Sequence, residues 1–273
     1  MQRLQRISSR KLSASEPLPD LTGIGSKFGA YFRRGQTAMI AADPNNGKSP
    51  LALWHCVNWV RHHNLRVLYF SADTDEYTTW KRAAMAVTGQ PKSHVERMPK
   101  SQVSTALAGL GGRLSFSFET DPTYQHLMEE VVAFFELWGD YPDVIVIDNL
   151  MDVIGDNEDE YGGMRDHTKA FKRLARATDS LVLILHHCNE EDQAKRKGGI
   201  KPPSRGRITG KVSQKAELVI TIAYDGFAKL MLMAPVKVRD GTPDDTGETY
   251  HTIRSDPERM QFFDMDYQRL GAA

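Results

Sequence analysis

The stretch that most constrains the fold is Ala42-Asp43-Pro44-Asn45-Asn46-Gly47-Lys48-Ser49, which follows a short apolar run and opens an amphipathic one. A turn of this composition between a strand and a helix offers backbone N–H groups and the positive end of the helix dipole to an anion. Gly47 permits close approach to the backbone, Lys48 supplies a cation for the β and γ oxygens of a triphosphate, and Ser49 supplies a hydroxyl for Mg²⁺. Ala42 stands where the general pattern has glycine, and Pro50 falls in the first helical turn, where its missing N–H leaves no helix bond unmade. Neither change removes a phosphate contact. Residues 42–49 are therefore read as a site for ATP with Mg²⁺.

A loop of this kind needs a sheet behind it. Short β-branched runs predict strands at 37–41, 66–71, 114–118, 144–148, 181–185, 218–223 and 229–235. Between them, Leu127, Val131, Phe134 and Trp138 recur at helical spacing, as do Tyr161, Met164, Phe171, Leu174 and Thr178 with one polar gap. After Ser213 the apolar runs are short and turn-separated, which predicts antiparallel strands. The fold class is α/β, a mainly parallel twisted sheet flanked by helices with antiparallel strands toward the C-terminus. At 273 residues the chain suits one large core. Residues 1–20, with Arg3, Arg6, Arg10 and Lys11 near the start, read as a basic arm, and 21–273 as the ATPase domain.

Net charge is zero, so attraction to a polyanion has to come from a local patch. Cys56 and Cys188 match no metal-ligand or disulfide spacing, and no apolar run approaches the roughly 20 residues that cross a bilayer. A cytoplasmic protein is expected. A second motif, Asp143-Val144-Ile145-Val146-Ile147-Asp148, is an apolar strand ending in a carboxylate. In a parallel sheet Asp148 emerges beside the phosphate loop, where it suits Mg²⁺, held through water.

Ala41 to Ser49 has the Ala-Ala-x-Pro-x-x-Gly-Lys-Ser/Thr form of the DnaB-type replicative helicases, whose C-terminal ATPase domain belongs to the RecA-like P-loop proteins. The chain resembles that domain in order from Leu21 to Gly241. Residues 67–73 resemble the second strand, whose final carboxylate acts in catalysis; Asp73 stands where that family has glutamate, with Asp75 and Glu76 as alternatives. Residues 183–189 resemble the strand that senses the γ-phosphate, with His187 at the sensor position; strand alternation puts His186 on the other face. Residues 212–219 resemble the Ile-x-Gln-x-Ala-Asp-Leu-Ile segment, and Lys237-Val238-Arg239 the Lys-x-Arg that reaches into a neighbour's ATP site. The residues before Leu21 leave no room for the family's N-terminal domain, which points to a short form, encoded by a phage or mobile element.

From Lys195 to Lys211 the chain carries Lys195, Arg196, Lys197, Lys201, Arg205, Arg207 and Lys211 without an acidic residue. The resemblance implies that this loop faces a central channel and grips the phosphates of single-stranded DNA, with electrostatics dominant because the loop has no aromatic residue to stack on bases. The resulting expectation is an ATP-driven DNA translocase or helicase, working as a homo-oligomeric ring, a hexamer by resemblance. A recombination ATPase of the RecA or RadA kind and a non-motor assembly or loading factor are the rival readings.

Overall fold

The computed structural model describes residues 16–155, 160–189, 199–239 and 241–265. Most of the expected basic arm and Lys195, Arg196 and Lys197 lie outside the described residues. Among the described residues nine strands form one sheet: β1 (Thr37–Ala42), β2 (Val67–Ser71), β3 (Leu114–Ser117), β4 (Val144–Asp148), β5 (Leu181–His187), β6 (Leu218–Asp225), β7 (Leu230–Val238), β8 (His251–Asp256) and β9 (Gln261–Asp264). Their order is β3-β2-β4-β5-β1-β6-β7-β8-β9. Every pairing from β3 to β6 is parallel, and those from β6 to β9 are antiparallel.

The central strands are apolar without interruption because both sheet faces are covered. In β1, Ala38, Ile40 and Ala42 join one core while Met39 and Ala41 join the other; β4 divides the same way, Val144 and Val146 against Ile145 and Ile147. The first core lies under α2 (Lys48–His63) and α3 (Glu76–Thr88), and two shorter helices, α4 (Lys92–Val95) and α5 (Lys100–Ala108), follow there. The second lies under α6 (Tyr124–Trp138) and α7 (Glu160–Thr178). A five-residue helix, α1 (Ile24–Phe28), precedes β1. Trp59 of α2 is fully buried and its indole N–H donates to Pro19 O at 3.0 Å, which pins the incoming chain to this core.

Strong local signals produced the elements foreseen. Thr123 accepts from His126 N and caps α6, whose Leu127, Val131 and Phe134 are buried, and Gly139 ends it in the left-handed conformation. In α7, Met164, Phe171 and Leu174 are buried as expected, but Tyr161 is 48% exposed. The expected strand at 229–235 begins at Leu230 and runs on to Val238, because Lys237 and Val238 pair with Val219 and Leu218 at the start of β6. Helices α3 to α5 were not foreseen. The buried face of α3 is Thr79, Ala83, Ala84, Met85 and Ala86, in which three alanines and a threonine leave Met85 as the one large apolar residue and give little periodic contrast.

Parallel pairing sets the site. Ala42 pairs with His187 and Ser71 with Asp148, so the carboxyl ends of β1, β2, β4 and β5 share one sheet edge. The antiparallel return of β7 pairs Val238 with Leu218, and Leu218 pairs with Ala38. The end of β7 therefore lies at the opposite edge.

Candidate nucleotide-binding site

The loop after β1 turns through Asn45, φ 61°, and Gly47, φ 82°, before α2 begins at Lys48. A side chain at Gly47 would be strained by its φ and would crowd Met231. Asn46 holds the turn from both ends, donating to Pro44 O at 3.1 Å and accepting from Tyr224 N at 2.9 Å. Pro50 sits in the first turn of α2 as expected. The loop borders a cavity of about 470 Å³ that reaches from Asp73, Asp148 and His187 past Arg82 to Tyr224, Ser255 and Phe262.

Lys48 is 7% exposed. Its ammonium curls back onto Ala42 O and Asp43 O at 3.3 and 3.4 Å and lies 3.3 Å from His187 Nδ1. Burial lowers its pKa, against the opposing pull of nearby Cys188, Asp148, Asp43 and Asp73. A desolvated ammonium held mainly by carbonyls suits an incoming phosphate. His187 faces it and is held below its usual pKa by burial and by Lys48. His186 points into the core, its Nε2 2.9 Å from Thr209 O, and burial pushes its pKa down to about 4.

Asp148 is 4% exposed. Ser49 Oγ donates to one carboxylate oxygen at 3.0 Å and Tyr69 Oη donates to the other at 2.7 Å. Burial raises the Asp148 pKa, and the two hydrogen bonds oppose that rise. An anion short of positive charge next to a hydroxyl is the donor set a hard divalent cation takes, so Ser49 and Asp148 fit Mg²⁺. Among the described residues no cluster of three His, Cys, Asp or Glu side chains forms a separate metal site.

Asp73 lines the cavity. Of the alternatives, Asp75 caps α3, accepting from Thr78 N at 2.9 Å, and Glu76 borders a different groove, with Tyr77, Trp80 and Phe116. Tyr69 and Arg82 went unforeseen as site residues. Tyr69 read as a sheet residue and Arg82 lies in a helix that was missed.

The described part of the basic segment is not the unopposed run of cations that the sequence suggests. Lys201 pairs with Glu248 at 2.6 Å, Arg205 with Asp245 at 3.2 Å and Arg207 with Asp43 at 2.8 Å. Its acidic partners come from distant parts of the sequence, which is why the run looked unopposed. Lys211 is exposed. At the opposite sheet edge, Lys237 donates to Ser213 O, Gln214 O and Ala216 O, and burial lowers its pKa to about 8. Lys237 is thus engaged within its own chain. The Arg239 side chain is 59% exposed and lies 3.7 Å from Glu217, a carboxylate that also takes Lys172 at 2.5 Å.

Relatives of known sequence include the Gene 65 protein of Mycobacterium phage L5, 27% identical over 264 residues, which cover 93% of this chain and 96% of that one. The Gene 65 protein of Mycobacterium phage D29 is 28% identical over 242 residues, covering 84% and 99%. Among solved structures, a DnaB-like replicative helicase matches with TM-score 0.79 at 12% identity, over 97% of this chain and 67% of that one. A second solved structure, of an ATPase domain, matches with TM-score 0.78 at 14% identity over 96% of each chain. A KaiC-like protein of Pyrococcus horikoshii OT3 matches with TM-score 0.61 at 10% identity, over 91% and 98%. Residues 23–193 match the AAA domain family. Joined to a phosphate loop whose Lys48, Ser49 and Asp148 converge as nucleotide binding requires, that match establishes that the chain belongs to the AAA domain family, in the DnaB-like form of the P-loop ATPase fold.

Proposed function

We propose that this chain hydrolyses ATP at the boundary between identical subunits of a ring, six by the family resemblance, and translocates on single-stranded DNA in phage replication or recombination. The phage relatives and the DnaB-like fold support the setting. Lys48 and the loop backbone hold the phosphates, and Ser49 and Asp148 are the residues that would hold Mg²⁺, which supplies positive charge to the phosphate oxygens. Asp73, on the same cavity, orients the attacking water and takes its proton. His187, beside Lys48, senses the terminal phosphate.

The observation that carries the ring is the place of Arg239. It follows β7 at the edge where β1 starts, and β1 spans roughly 17 Å to the phosphate loop at about 3.3 Å per residue. No arginine side chain covers that distance, so Arg239 cannot serve its own site. An exposed arginine at the far edge suits a neighbour's site, where it stabilises charge on the transferring phosphoryl group. Lys237, committed to its own carbonyls, has the lesser part.

Single-strand contacts fall to Lys201, Arg205 and Lys211 together with Lys195, Arg196 and Lys197, while Arg207 is already engaged at the phosphate loop. Strand binding then requires exchanging the carboxylates Glu248 and Asp245 for backbone phosphates. Purified protein assayed for ATP hydrolysis with and without single-stranded DNA, and for unwinding of a forked duplex, tests the reading. Strand-stimulated hydrolysis with unwinding is expected. Stimulation without unwinding supports the recombination-type reading, and hydrolysis indifferent to DNA supports the non-motor one.

A further inference from the structure

Arg207 comes from the basic segment, yet its guanidinium is turned to the phosphate loop. Its Nη2 lies 2.8 Å from Asp43 Oδ1, with the two side chains 19% and 15% exposed. It also donates to Asn189 O, and Asn189 N returns a hydrogen bond to Arg207 O at 2.8 Å. Thr209 Oγ1 donates to Asn189 Oδ1 at 2.9 Å, Thr209 O meets His186 Nε2, and Ile208 bridges Cys188. Residues 207–209 are thus stitched to the end of β5, two residues from His187, and to the residue that follows β1.

Asp43 is an awkward residue for a triphosphate site, because its negative charge, close enough to act on Lys48, opposes the binding of phosphates there. Its field reaches Lys48, whose ammonium lies 3.4 Å from Asp43 O and whose charged form the Asp43 carboxylate favours. We propose that Arg207 is a positioning residue of the phosphate loop: by neutralising and holding Asp43 it sets the net charge offered to the nucleotide and ties residues 207–209 to that site. The inference rests on the nucleotide half of the proposed function and is independent of the DNA half. Linkage makes the tie reciprocal, so nucleotide at the loop also steadies residues 207–209.

The test is the affinity of a non-hydrolysable ATP analogue with Mg²⁺ for the full chain and for Arg207→Gln, Asp43→Asn and the double variant, with melting of each recorded without nucleotide. Arg207→Gln leaves Asp43 unneutralised and should weaken binding about tenfold, within the range for coupled neighbours. Asp43→Asn leaves the cation behind and should bind no more weakly than the parent. The double variant should recover to within about threefold of the parent, since the repelling charge is gone. Arg207→Lys keeps charge without the fork and should fall between parent and Arg207→Gln. Parental affinity in Arg207→Gln, or no recovery in the double variant, overturns the proposal. Lowered melting with unchanged affinity makes the pair a mere staple and overturns it too. Failure of the parent itself to bind the analogue removes the nucleotide reading and this inference together, and so separates the two failures.

Discussion

Removing one hydroxyl, with Tyr69→Phe, isolates the support of the carboxylate read as the Mg²⁺ ligand. Tyr69 is 2% exposed and its hydroxyl donates to Asp148 Oδ2 at 2.7 Å. The substitution keeps the ring and its contact with Phe116, whose centroid is 5.5 Å away. What is lost is a hydrogen bond to a buried charged group, worth about 2 kcal/mol. At 2–4 °C per kcal/mol for a chain of this size, melting should fall by about 4–8 °C. Burial already raises the Asp148 pKa and the Tyr69 bond is the largest influence opposing it, so the variant raises it further. A carboxyl whose folded pKa is raised favours the folded state while protonated and loses that advantage as pH rises through the folded pKa. The deficit of Tyr69→Phe should therefore be full where Asp148 is ionised and shrink toward acid as Asp148 protonates in both proteins. Scanning calorimetry of the nucleotide-free chain, stepped from neutral pH into acid until Asp148 is protonated, reads this out. A deficit that stays constant across the range, or grows toward acid, refutes the assignment to the Asp148 carboxylate.

Lys48→Ala should abolish ATP turnover with little change in melting, since its ammonium is desolvated and adds charge rather than packing; retained turnover in a steady-state assay sinks the phosphate assignment. Asp73→Asn should keep affinity for the ATP analogue and lose hydrolysis, while Glu76→Gln, at a different groove, should hydrolyse normally; the reverse pattern transfers the catalytic role. Neutralising Lys197, Lys201 and Arg205 together should flatten the salt dependence of single-strand binding by about 2 in log–log slope, at roughly 0.7 per phosphate contact, and an unchanged slope assigns the segment to solvent.

The phosphate site was legible because its chemistry is local in sequence. Residues 42–49 carry their own turn and helix start, and Asp148 ends an apolar strand that only a covered parallel sheet would bury. The resemblance put His187 at the site, and strand alternation then turned His186 into the core. What stayed hidden depends on distant partners. Tyr69 and Asp148 are 79 residues apart, and Arg207 and Asp43 are 164 apart, so neither pairing leaves a local pattern. The basic run illustrates the same limit: free of acids along the chain, it meets Asp43, Asp245 and Glu248 through the fold. Helix α3 was lost because alanines line its buried face.

The claim that a working site is shared between subunits is tested most directly by mixing Arg239→Ala with Lys48→Ala protein and measuring ATP hydrolysis. Each variant alone should keep its fold and turn over poorly, Arg239→Ala by about 10³ to 10⁵ below the parent, as for removal of an arginine supplied in trans. A mixed ring contains boundaries where an intact phosphate loop from an Arg239→Ala subunit meets an intact Arg239 from a Lys48→Ala subunit. Mixing should therefore restore part of the activity, rising and falling with the ratio of the two proteins. Near-parental turnover by Arg239→Ala alone, or a mixture no more active than the sum of its parts, contradicts a site completed by the neighbour.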